Sequence, residues 1–142
     1  MTAMSYGRPG SANRYLGDSL ATASPASLLV MLYDRLVLDL KRAEEAQRTG
    51  DRQTAHVNLI HAQDIIAELH SSLKVDLWDG GPGLASLYTW LLGDLAQANM
   101  KGDPTRTADT RTRVVEPLAD AWRQAALQHL TATTNSGANG LA

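Results

Sequence analysis

A chain of 142 residues, 44% apolar and 20% charged, has the material for one domain with a core of its own. Phe is absent, and three Trp and four Tyr are the whole aromatic complement. Leu, Ile, Val and Ala must therefore fill the core, which suits helices packed on helices better than an aromatic-rich β-sandwich. A net charge of −2 argues against a duplex-binding protein, and the absence of Cys excludes disulfides, thiolate metal sites and a cysteine nucleophile. No run approaches the roughly 20 apolar residues of a membrane span, and no basic segment followed by an apolar stretch opens the chain. Neither membrane insertion nor a secretory signal is expected, which places the chain in the cytoplasm.

Residues 1–23 read as a polar, flexible arm with apolar beads at Tyr6, Tyr15, Leu16 and Leu20. Leu16 and Leu20, spaced i, i+4, make a short amphipathic helical element. Ser24 caps a first helix with Pro25 at its first position, where the missing N–H costs nothing. Leu29, Leu32, Leu36, Leu40 and Ala43 form its inner stripe, and Gly50 ends it with a left-handed cap. A second helix, from about Asp51 to Lys74, carries Ala55, Leu59, Ala62, Ile66, Leu69 and Leu73 as a heptad stripe.

Gly80-Gly81-Pro82-Gly83 breaks the chain, and a third helix follows with Leu84, Leu87, Tyr88, Leu91, Leu95 and Ala98. Gly102 stops it; Asp103 and Pro104 open a fourth helix bearing Ala108, Arg111, Val115, Leu118, Trp122, Ala125 and His129. Pro117 falls inside this helix, opposite the carbonyl of Arg113, and predicts a kink or a break. Residues 131–142 are too polar and small to repay their ordering entropy and read as a disordered tail. The expectation is an all-α, antiparallel up-down four-helix bundle over residues 24–130.

Such a bundle does not hide all of its apolar side chains. With Leu36 at the centre of the first stripe, Val30 and Val37 lie at about 100–120°, and Met31 and Leu38 lie towards the back. Val57 and Ile60 on the second helix, and Trp90, Leu92 and Met100 on the third, also point away from the core. A helix apolar on every side needs cover on every side. The cover is the chain's own arm, a second copy of the chain, or a foreign amphipathic segment. Tyr33 and Asp34 fit either core and capping duty or contact with such a segment.

No catalytic constellation emerges. His56, His61, His70 and His129 make no i, i+3 or i, i+4 pair, so no metal and no cofactor are expected. Gly80-Gly81-Pro82-Gly83 lacks the Lys-Ser/Thr of a phosphate loop. Arg111 lies on the core side of the fourth helix, with its stem packed and its head reaching solvent. Asp39, Glu44 and Glu45 read as a solvated face.

The order of these features resembles the flagellar export chaperone FliS, a cytoplasmic flagellin-binding family. The resemblance runs from Tyr15 through Thr22-Ala23-Ser24-Pro25 and Leu28-Leu29-Val30-Met31-Leu32-Tyr33-Asp34. It continues through Ala62-Gln63-Asp64-Ile65-Ile66-Ala67-Glu68-Leu69, Ser72-Leu73, Leu87-Tyr88, Leu95-Ala96-Gln97-Ala98-Asn99, Gly102-Asp103-Pro104 and Trp122. Arg35, Trp90 and Pro117 depart from the family's pattern. The resemblance implies a non-enzymatic chaperone that binds the C-terminal segment of flagellin, which is disordered before assembly, and aids its delivery to the type III export gate. No nucleic-acid partner is expected, since the Arg residues are too dispersed for a binding patch. The residues expected to touch the client are Val30, Met31, Val37, Leu38, Val57, Ile60, Leu92 and Trp90. Tyr15, Leu16 and Leu20 are the expected internal stand-in that the client displaces. The resting state is expected to be a monomer or weak homodimer; the alternative is a self-associating bundle that buries the same patch and has no client.

Overall fold

The structure, a computed structural model, describes the backbone of residues 24–141 and the side chains of residues 24–128. The predicted arm, with Tyr15, Leu16 and Leu20, lies outside the described residues. Helix α1 spans Pro25–Thr49, α2 Arg52–Ser72 and α3 Gly81–Lys101. A 3₁₀ turn, Val75–Leu77, stands between α2 and α3. The fourth rod is α4 (Pro104–Thr110), a π-helical turn (Arg111–Val115) and α5 (Glu116–Leu141) in succession.

The helix ends follow local chemistry. Ser24 Oγ accepts the Ser27 N–H at 3.1 Å and opens α1. Two turns then share one design. Gly50 and Gly102 both take positive φ, and the amides after them, Asp51 and Asp103, reach back to the carbonyls of Ala46 and Ala98 at 2.8 and 3.1 Å. These are Schellman closures, which satisfy carbonyls the helix leaves over. The same two aspartates then cap the next helices, accepting the N–H of Thr54 and of Arg106 at 3.1 Å each. Gly81 has a different reason: a Cβ there would sit 2.1 Å from the Val75 carbonyl oxygen.

Pro117 neither breaks nor sharply ends the fourth rod. It offers no N–H and its ring crowds the carbonyl four residues back. The chain absorbs this by widening one turn, so that the Glu116 N–H bonds to the carbonyl of Arg111, five residues earlier. The helix that begins at Glu116 ends at Leu141.

Contacts divide the described residues into two compact units, Leu32–Ala121 and a second formed by those up to Met31 with those from Trp122 onward. Within Leu32–Ala121, polar bridges set the helix order. Asp39 of α1 meets His61 of α2, and His56 of α2 meets Asn99 of α3 at 2.9 Å. Asp94 of α3 meets Arg106 of α4 at 2.8 Å, and Glu44 of α1 meets Arg111 at 2.8 Å. Each successive rod therefore runs antiparallel to the last, and the fourth returns to the first: an up-down-up-down bundle. Its core is mostly aliphatic, with Leu36, Leu40, Leu59, Ile66, Leu91, Leu95 and Val115 excluded from solvent beside Tyr33 and Tyr88. Burial of this kind stabilises by about 25 cal/mol per Å².

Two sequence expectations fail here. Asp39 is fully buried rather than solvated, because it lies at the edge of the core stripe and is held by Arg35 Nε at 3.1 Å and by His61. A buried carboxylate needs such partners. Arg111 does not reach open solvent either: its guanidinium is clamped between Glu44 at 2.8 Å and Glu116 at 2.6 Å. Glu44 is thereby half-buried and engaged, while Glu45 is exposed as expected.

Candidate functional site

Much of the polar chemistry in the described part of the bundle serves structure. Arg111 holds the Glu44 carboxyl below the usual carboxylate range, chiefly through its hydrogen bond and against the opposing effect of burial. The Thr54 hydroxyl and amide do the same for Asp51. Burial, followed by the bond from Tyr33, pushes the Tyr88 phenol far up. Tyr33 is wholly buried, which settles it as a core residue, and Asp34 is exposed. Among the described residues no group of three His, Asp or Glu is placed to hold a metal ion.

What remains for recognition is apolar surface beside furrows. None of the eight side chains expected to touch a client is buried: Leu38 is 37% exposed, Ile60 41%, Trp90 50% and Val57 54%. Val30, Met31, Val37 and Leu92 are half-buried. Val30 and Met31 belong to the smaller compact unit and the other six to Leu32–Ala121.

Those six do not form one patch. Leu92 lies seven residues before Asn99, hence on the same face of α3, and Ile60 lies four after His56 on α2. Since His56 bonds Asn99, Ile60 and Leu92 border the same α2/α3 furrow. Val57 stands on the outer face of α2 next to it. Leu38 continues the α1 face of Lys41 and Glu45, which line the α1/α2 furrow with Thr54 and Asn58. Trp90 is on the other side of α3, in the wall of a furrow of about 370 Å³ with Asp94, Arg106 and Thr110. Val37 lies seven residues before Glu44, so it faces the fourth rod.

Helical-wheel reasoning passes over Leu77 and Trp78, which are 74% and 47% exposed in the turn between α2 and α3. A wheel assigns faces only within helices; an apolar pair in a short link next to a Gly-rich break was the available signal.

The described helices form an all-helical bundle in which several charged side chains are tied in pairs and exposed apolar side chains lie along grooves. Residues 9–129 match the family described as Flagellar protein FliS. The chain is 32% identical over 111 residues to the flagellar secretion chaperone FliS of Bacillus subtilis strain 168, covering 78% of this chain and 82% of that one. It is 31% identical over 110 residues to the protein of the same name from Vibrio cholerae, covering 75% and 79%. The Escherichia coli K12 protein of that name is 27% identical over 115 residues, covering 78% and 82%. The chain belongs to the FliS family, a family of flagellar secretion chaperones rather than of enzymes. Among the described residues no helix is long and apolar enough to cross a membrane.

Proposed function

We propose that the protein is a cytoplasmic export chaperone that binds the disordered C-terminal segment of flagellin in the furrows between its helices. The bound segment cannot polymerise early and is carried to the flagellar type III export gate. The observation that carries this reading is the set of exposed apolar side chains at furrow edges, Leu38 at α1/α2 and Ile60 with Leu92 at α2/α3. An amphipathic client helix lays anchors spaced i, i+3, i+4 and i+7 into such furrows. A client that folds as it binds covers a large surface, while its ordering cost keeps the complex releasable. Tyr15, Leu16 and Leu20 of the arm act as a stand-in that the client displaces.

Titration calorimetry of the full chain against a flagellin C-terminal peptide tests the reading. Binding with a large negative heat-capacity change supports it, since that is the mark of apolar burial with folding. No heat, together with a constitutive dimer in sedimentation, overturns it in favour of self-association. Removal of residues 1–20 tightens or speeds client binding if the arm is displaceable; unchanged or weaker binding removes that part.

A further inference from the structure

Where the turn after α1 meets the turn after α3, the α2/α3 furrow opens into a depression of about 560 Å³. Arg52, His56, Asn99, Met100 and Lys101 contribute to its wall, and no Asp or Glu does. Two other furrows among the described residues are mixed. That between α3 and α4 sets Asp94, Asp103 and Asp109 against Arg106 and Arg113. That between α1 and α2 sets Glu45 and Asp51 against Lys41 and Arg42. In a chain of net charge −2, this depression is purely cationic.

Its two full cations are also uncommitted. Arg35, Arg48, Arg106 and Arg111 are all in ion pairs, whereas neither Arg52 nor Lys101 is paired with an acidic side chain among the described residues. Helix ends do not decide the field there. The starts of α2 and α4 bring positive ends and the ends of α1 and α3 bring negative ones, and these offset. The side-chain cations therefore set the sign, and the site calls for an anion.

Resting on the reading of the client as the C-terminal segment of flagellin, we infer that this depression receives the α-carboxylate at the end of that segment. The last turn of a bound client helix carries its own negative dipole end beside the carboxylate, so Arg52 and Lys101 meet both at one place. The client's polarity follows: its C-terminus lies at Arg52 and Lys101, and it runs parallel to α3. Ile60 is eight residues along α2 from Arg52, about 12 Å. The first apolar anchor of the client thus falls roughly two turns before its final residue.

Two flagellin peptides of identical sequence, one ending in the free acid and one in an amide, separate this inference from the reading beneath it. In calorimetry with the intact chain at low salt, the amide binds about five- to tenfold more weakly, the scale of two partly exposed ion pairs. The gap narrows at high salt and closes in the R52Q/K101Q double variant, both positions being exposed and the variant's helicity checked by circular dichroism. Equal affinity of acid and amide for the native chain overturns the inference alone. A gap that persists in R52Q/K101Q overturns the location. Binding of neither peptide overturns the client reading and the inference with it.

Discussion

The phenol oxygens of Tyr33 and Tyr88 meet at 2.7 Å inside the bundle, one brought by α1 and the other by α3. Neither ring sees appreciable solvent, and these are the two largest fully buried side chains of a core that has no Phe. Each ring supplies bulk, and each hydroxyl needs a partner once buried.

Tyr33→Phe takes that partner from Tyr88 and costs about 1–3 kcal/mol in urea unfolding. The Y33F/Y88F double variant loses less than the sum of the single losses, since the second change removes an already orphaned group. Additive losses would show that the two hydroxyls do not support each other. The pair also has a signature in alkali. The folded Tyr88 phenol is raised above its ordinary 10.0, by burial first and then by Tyr33. The unfolded chain therefore releases this proton at a lower pH than the folded one. The stability is complete below about pH 10 and falls as pH rises above it, and Tyr88→Phe flattens the fall.

Asp39 makes a second case of a buried group dependent on its neighbours. Its carboxylate is fully enclosed and is held by Arg35 from one turn earlier and by His61 from α2. His61→Ala removes the cross-helix partner and leaves the carboxylate on Arg35 alone, at a cost of about 1–3 kcal/mol in chemical denaturation. Exposed Asp64→Ala, on the same helix, stays within about 0.5 kcal/mol. Equal effects at the two positions would mean that the bridge is dispensable.

The acid limb of the stability profile rests partly on Arg111. Its hydrogen bond holds the Glu44 carboxyl below the ordinary 4.5. The folded chain keeps this group ionised to lower pH than the unfolded chain does, so its contribution is present above pH 4.5 and is lost as pH falls below it. Arg111→Met removes that part of the acid dependence while leaving a comparable apolar stem. An unchanged acid slope in thermal melts would assign the slope to other carboxylates.

What could be read in advance, and what could not, divides along the range of the interactions. Ser24, Gly50 with Asp51 and Gly102 with Asp103 announce their turns because each cap is completed within a few residues. The burial of Asp39 is not local: Arg35 is visible one turn away, but His61 arrives only when α2 packs. Pro117 marks a disturbance in the fourth rod, yet a widened turn rather than a break emerges because Thr107 before that turn and Ala119 after it are both anchored in the core. At the surface, the wheel identifies which apolar side chains point outward. It does not say which furrow they border, since that depends on register between helices. Trp90 and Leu92, two residues apart, look into different furrows for this reason.

That division of furrows gives the most direct test of the proposed docking surface. Leu38, Ile60 and Trp90 are all more than a third exposed, so their replacement leaves the melting temperature near that of the native chain. Ile60→Asp sets a carboxylate at the edge of the α2/α3 furrow, and Leu38→Asp does so at α1/α2. Each weakens the flagellin peptide by about tenfold or more, as expected when an apolar anchor meets a charge. Trp90→Ala removes one wall of the α3/α4 furrow and costs about fivefold, because Asp94, Asp103, Arg106, Asp109 and Arg113 make that furrow strongly charged. If Trp90→Ala costs more than Ile60→Asp in calorimetry, the principal seat moves to the α3/α4 side. If all three variants bind as the native chain does, the client uses none of these furrows, and the exposed side chains then answer to a second copy of the chain.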